Sequence, residues 1–258
     1  VLPPGDIRSC LVALAETETL MDRVFQHRFK QGEGIKGHNL GNLLMVAMAE
    51  ITGDIVSAIK EVSKVLAVRG QVIPATLGHV ELGARMRDGS VIIGETAIRR
   101  YNQGIDRIFL IPEQCLPVPA TIEAIMEADA IILGPGSLFT SIIPNLLVAG
   151  VPQAIADSRG TRIYVSNIMT ELGETDGFTA ADHLMTILNY VNRPVIDHVI
   201  VNTGDIDEAR RQRYLDEKAV PVATAREQIN QLGINIIERD LVSSDRVAWH
   251  DSEKLAAT

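Results

Sequence analysis

From Ile105 onward the apolar positions alternate between short continuous runs and amphipathic stretches. The runs at 107–111, 131–133, 162–166, 198–201 and 235–238 read as strands; the stretches at 121–127, 140–148, 179–190, 206–217 and 225–232 read as helices. Strand-helix alternation with short links predicts a mostly parallel sheet with helices on both faces. The run at 131–133 is apolar at every position and reads as a strand covered on both sides. The chain before Ile105 is patterned differently. Residues 7–29 read as one helix with Asp6 as its N-cap and Arg8 in its first turn, 30–36 as a Gly-broken polar loop, and 43–50 and 54–68 as two further helices. Residues 71–75 and 80–86 look extended, Asp88-Gly89 is a hairpin turn, and 91–94 returns, so 71–101 is expected to form a small antiparallel excursion.

At 258 residues and 46% hydrophobic, the chain can bury the core of one large domain, or of one domain with a small appendage. A net charge of -9 argues against a general nucleic-acid surface and against attraction to anionic lipid, so any phosphate site must be local. Cys10 and Cys115 have neither CxxC spacing nor further partners, which fits a reducing compartment; both are expected in the core. No apolar run approaches the roughly 20 residues of a membrane span, residues 1–4 do not resemble a signal peptide, and the cytoplasm is the expected location.

The candidate chemistry sits where the 131–133 run breaks into Gly134-Pro135-Gly136-Ser137 and resumes as a helix. Gly134 and Gly136 permit a tight turn and close approach, while Ser137, Thr140 and Ser141 place hydroxyls beside the unpaired amides of a helix N-terminus. That combination suits a phosphate. The alternative is a plain turn with Ser137 as cap, and neither the Lys of a P-loop nor the third Gly of a dinucleotide loop is present. Ligands of open parallel sheets gather at the carboxyl ends of strands, where loops at 166–175 and 202–205 would share a rim with 134–137. Asn167 and Asn202 have amides able to read a base or a sugar hydroxyl. Asp205 is expected to cap the helix from 206, and Thr179 with Asp182 to form a capping box. At the start of an earlier helix Asn39 reads as a cap and His38 as a phosphate donor; the other histidines show no metal-ligand spacing and read as surface or structural groups. No Ser-His-acid arrangement can be argued, and no general acid or base is assigned.

Six separated motifs carry a family resemblance: PPGDIR at 3–8, FQHRF at 25–29, GHNLGN at 37–42, SKVLAVRGQVIPAT at 63–76, GPGSLFTSIIPNLL at 134–147 and NIMTELGET at 167–175. Their order and spacing resemble the gluconeogenesis-factor family of bacterial proteins, which is related to the phospholactate transferases of deazaflavin-cofactor synthesis. The resemblance implies a Rossmann-like three-layer α/β sandwich over 1–258. It also implies a cytoplasmic protein that binds a UDP-sugar and supports cell shape and wall synthesis on gluconeogenic carbon sources. Arg8 and Asn42 join the candidate ligand set through these motifs, and Tyr214 and Arg213 are weaker candidates on a nearby helix. The alternative is an enzyme moving a phospholactyl group to a deazaflavin precursor with a divalent metal; a third class is an interaction protein without ligand. Homo-oligomers and regulatory protein partners stay open, as do the sugar and any catalytic residue. Two departures bear on this. Relatives carry a strand, a Gly-rich loop and an acidic segment upstream of PPGDIR, so the chain is expected to lack a central strand, part of the nucleotide site and the metal-binding acids. Trp249 stands where the family more often has a basic residue before His-Asp, which puts a C-terminal phosphate contact in doubt.

Overall fold

The computed structural model describes residues 5–16, 19–216, 218–245 and 247–258. Pro3 and Pro4 of the first motif, and positions 17–18 and 217 of the expected helices, lie outside the described residues. The chain divides into two units, Val1–His79 and Val80–Thr258.

In the first unit two helices, α1 (Gly5–Ala13) and α2 (Thr19–Gln26), replace the single helix expected over 7–29. The break has a backbone cause: Glu16 N donates to Ala67 O at 3.3 Å, Arg69 N donates to Leu14 O at 2.9 Å, and Ala15 pairs with Val68. These pairings take 14–16 off the helical path. Because α1 begins at Gly5, Asp6 lies in its first turn, near the positive end of the helix dipole, and is not the N-cap. Cys10 is exposed on this helix, contrary to expectation, whereas Cys115 is buried. The helices α3 (Leu40–Thr52) and α4 (Ile55–Val65) are capped by Asn39 and Asp54, whose side chains accept from Asn42 N and Ser57 N. Leu11, Phe25, Met45, Ile59, Val62 and Leu66 form one core drawn from α1 to α4 and the residue after α4.

The second unit begins with β1 (Glu81–Met86) and β2 (Val91–Ile93), joined at Asp88-Gly89 as the turn residues predict. After α5 (Glu95–Tyr101), β3 (Ile105–Ile111) returns antiparallel to β1, giving a three-stranded sheet of order β2-β1-β3. The first run of the alternating pattern therefore belongs to this small sheet and not to the parallel one. Gly83 faces Phe109 across the ladder, and its missing side chain makes room for that ring. Residues 71–75, expected to be extended, form no strand.

After α6 (Pro119–Glu127) comes the parallel sheet: β4 (Ala130–Leu133), β5 (Thr161–Val165), β6 (His198–Asn202) and β7 (Asn235–Arg239), in the order β4-β5-β6-β7. A π-helical turn (Leu138–Ile142) running into α7 (Ile143–Leu146), followed by α8 (Val151–Asp157), connects β4 to β5. The helix α9 (Ala180–Val191) connects β5 to β6, and α10 (Glu208–Asp216) with α11 (Arg226–Gln231) connects β6 to β7; α12 (Ser252–Ala256) follows. Buried positions on α9, Ala180, His183, Leu184, Ile187 and Val191, recur at helical spacing, and Tyr164 of β5 hydrogen-bonds His183 on that side. Val165 and Ile200 instead pack with Leu241 and, through it, Leu255 of α12. Helices thus cover both faces, as the apolar pattern requires, and the result is the expected Rossmann-like three-layer α/β fold.

Two local expectations change. β4 is an edge strand and its Ile132 is 61% exposed, so the run at 131–133 is not covered on both faces here. Asp205 does not cap α10: the helix starts at Glu208, Asp207 accepts from Arg210 N at 2.9 Å, and Asp205 pairs with Arg211 at 2.7 Å. The capping box of Thr179 and Asp182 is formed. Among the described residues no single helix is long and apolar enough to cross a membrane.

Candidate functional site

A cavity of about 880 Å³ opens in the second unit where the chain leaves β4 and β5. Pro135 and Gly136 supply one wall, Asn167 and the residues after it another, and Arg99, Tyr214 and Trp249 complete it. Its position at the carboxyl ends of adjacent parallel strands is where open α/β sheets bind ligands, and its size is in the range of small-molecule sites.

The loop after β4 is built by backbone geometry. Gly134 takes a φ of 83°, and an added Cβ would meet Val165 O at 3.1 Å, so this position requires glycine. At Gly136 the corresponding contact, to Ser141 Cβ, is an ordinary 3.4 Å; this glycine leaves the loop open without being sterically obligatory. Ser141 N and Ile142 N both donate to Ser137 O, at 2.9 and 3.0 Å, which widens the turn into a π-helix, a feature often found at functional sites. Ser137 makes no side-chain cap bond and lines a second cavity of about 310 Å³. Ser141 is exposed and lines neither cavity. Thr140 is buried, and its hydroxyl donates to Glu174 Oε1 and accepts from Arg99 Nη2, both at 3.2 Å.

The loop after β5 is held by its own hydroxyls. Thr170 Oγ1 accepts from Val220 N and Thr175 Oγ1 from Glu171 N, each at 2.9 Å. Gly173 has a φ of 79°, and any side chain there would collide with Asn102 at the end of α5; glycine thus permits α5 to approach and brings Arg99 beside Glu174. Arg99 Nε lies 3.8 Å from Glu174 Oε1. Burial, with the nearby Glu171 charge adding to it, pushes the Glu174 carboxyl up to about 7; hydrogen bonds from Thr140 and the Phe139 backbone and the Arg99 charge only partly oppose this. Two acceptors here are buried without a partner, Glu174 Oε2 and Asn167 Oδ1, while Asn167 Nδ2 donates to Glu171 Oε1 at 3.2 Å. His250 Nε2 contacts Ser166 O at 3.1 Å, and burial lowers the imidazole pKa, so it serves the cavity wall as a neutral ring.

Of the residues expected from sequence, the cavity brings together Gly136, Asn167 and Tyr214, whose hydroxyl accepts from Ala248 N at 3.0 Å. Asn202 is occupied elsewhere: its Oδ1 accepts from Gly204 N and Leu241 N and its Nδ2 donates to Gly204 O. In the first unit Arg8 Nε donates to Asn42 Oδ1 at 2.9 Å, Asn39 caps α3, and His38 is exposed. Arg99, Glu174 and His250 were not singled out from sequence, although Glu174 lies inside the 167–175 motif and its signal was there to weigh. Among the described residues no group of three or more His, Cys, Asp or Glu is placed to hold a metal ion.

Fold and cleft together define a Rossmann-like α/β protein with an open cleft at the carboxyl edge of its parallel sheet. The chain belongs to the CofD family: the family model for 2-phospho-L-lactate transferase CofD matches residues 1–242. It is 45% identical over 256 residues to the gluconeogenesis factor of Bacillus subtilis, covering 99% of this chain and 81% of that protein. It is 43% identical over 255 residues to the gluconeogenesis factor of Halalkalibacterium halodurans, covering 98% and 79%. A crystal structure of a UPF0052 family member from Bacillus halodurans superposes with a TM-score of 0.95 at 43% identity, covering 99% of this chain and 82% of that one.

Proposed function

We propose that the protein is a gluconeogenesis factor that binds a UDP-sugar in the 880 Å³ cleft and acts as a cytoplasmic regulatory protein for cell shape and wall synthesis on gluconeogenic carbon sources. The observation that carries the ligand reading is Asn167 Oδ1: a buried acceptor without a partner, on a residue that lines the cleft together with Pro135 and Gly136 of the turn. A buried amide oxygen left unpaired costs roughly 1 to 3 kcal/mol, which a ligand N–H or O–H recovers on binding. A uracil imide or ribose hydroxyl supplies such a donor. Arg99 and the open turn at Gly136 offer the positive charge and space for the diphosphate, and Trp249, 66% exposed at the cavity wall, offers a ring face for stacking. The name of the relatives supports the gluconeogenic part of the cellular role.

Calorimetric titration of the full chain with UDP-sugars, UDP and unrelated nucleotides tests this. Saturable binding of UDP-sugars in preference to the unrelated nucleotides is expected, and no binding by the folded protein would end the reading. A second reading, transfer of a phospholactyl group to a deazaflavin precursor, is favoured by the family model and by a Glu174 carboxyl whose pKa of about 7 suits proton transfer. Incubation with activated phospholactate and the deazaflavin acceptor separates the two, since only the transferase yields the coupled product.

A further inference from the structure

The smaller cavity, about 310 Å³, shares Arg99, Glu171 and Leu172 with the larger one, so the two adjoin. Its chemistry differs. Glu174 forms part of its wall, is 5% exposed, and keeps Oε2 buried and unpartnered, whereas Thr140 and Arg99 engage Oε1. Ser137 brings a hydroxyl not used for capping. Glu171 and Arg99 stand in both walls, so charge does not separate the two cavities; what the smaller one adds is a buried acceptor without a partner and a hydroxyl not engaged in capping. It suits a neutral group with several hydroxyl donors. Rigid support is also present: the Thr175-to-Glu171 bond fixes the loop, and the glycine at 173 lets α5 press Arg99 against Glu174.

We infer that the smaller cavity is the sugar subsite of the cleft, in which Glu174 Oε2 accepts a hydrogen bond from a sugar hydroxyl and Ser137 Oγ pairs with a second one. The nucleoside diphosphate then occupies the larger cavity. This rests on the nucleotide-sugar reading and deepens it, because it says which residue tells UDP-sugar from UDP. An acceptor left buried and unpaired discriminates strongly against a ligand lacking the matching hydroxyl.

The test is a calorimetric titration of the wild-type chain, Glu174→Ala and Glu174→Gln with UDP-glucose and with UDP, with circular dichroism as the check of folding. The wild type is expected to bind UDP-glucose about 10-fold or more tighter than UDP, and Glu174→Ala to lose that preference while keeping its UDP affinity. Glu174→Gln retains the shape and one amide acceptor, so it is expected to keep its fold and show an intermediate preference. Should Glu174→Ala fail to fold, a Glu174→Gln preference equal to the wild type's overturns the inference. Wild-type binding of UDP and UDP-glucose with equal affinity overturns the subsite alone. Binding of neither overturns the nucleotide reading and the subsite with it.

Discussion

Asn167 and Asn202 occupy comparable places: Asn167 lies two residues past β5 and Asn202 ends the neighbouring β6, both at the carboxyl edge of the same parallel sheet. Their fates differ. Asn202 Oδ1 takes backbone N–H groups from Gly204 and Leu241 at 3.0 and 2.9 Å, and its Nδ2 donates to Gly204 O at 3.0 Å. Gly204 has no side chain to spare room for, because an added Cβ would collide with Asp240. That loop closes on itself. Asn167 lies beside a cavity, spends its amide on Glu171, and leaves Oδ1 buried and unpaired. One asparagine holds the fold and the other holds its capacity in reserve; residue type and strand position alone do not separate them.

Five substitutions break or sharpen this contrast. The largest effect is expected at Asn202→Ala, which leaves two part-buried backbone N–H groups, of Gly204 and Leu241, without their acceptor: roughly 3 to 5 kcal/mol of stability should be lost in urea unfolding, with ligand affinity unchanged in whatever fraction remains folded. A loss under 1 kcal/mol would show that loop to be less closed than its hydrogen bonds indicate. Next comes Glu174→Gln. Burial raises the folded carboxyl pKa from 4.5 to about 7, so the folded state holds a proton that the unfolded state has released between those values. The stabilising effect of that proton is fully present below pH 4.5, falls as pH rises through 7, and is constant above. Glu174→Gln, which cannot ionise, should flatten this decline and raise stability at pH 8 by on the order of 3 kcal/mol. Thermal melts of both proteins across pH 4 to 9 check it, and parallel profiles would refute the shifted carboxyl.

Gly134→Ala should cost about 2 kcal/mol, from a left-handed backbone and a Cβ 3.1 Å from Val165 O, while Gly136→Ala should stay within about 0.5 kcal/mol of wild type. Chemical unfolding of the pair decides whether the first or the second glycine sets the turn. The smallest change in stability is expected at Asn167→Ala, whose effect falls on binding: an affinity for a UDP-sugar about 10-fold weaker, and a melting temperature equal to or above that of wild type, because a buried unpaired acceptor has been removed.

Much of the architecture was readable from the apolar pattern. The parallel strands show as local apolar runs, and the capping box at Thr179 and Asp182 and the cap at Asn39 depend on interactions within a few residues, which a sequence displays. The break of the first helix was hidden because it depends on 14–16 pairing with residues some 50 positions later. β3 was misassigned for the same reason: an apolar run of strand length does not reveal which sheet it joins. In the site, the turn at Gly134-Pro135-Gly136 announced itself, and Asn167 stood out after its strand. Arg99 could not, being one of 24 Lys and Arg residues and placed beside Glu174 only by the approach of α5 to Gly173. The environment of Glu174 likewise comes from burial, which no spacing encodes.

The most direct test of the central claim uses Trp249, the sole tryptophan of the chain and a wall of the cleft. Its fluorescence should change saturably when a UDP-sugar is titrated into the wild-type protein, and the midpoint should move to about 10-fold higher concentration in Asn167→Ala at unchanged thermal stability. A midpoint identical in the two proteins would contradict the assignment of Asn167 and its cleft as the ligand site.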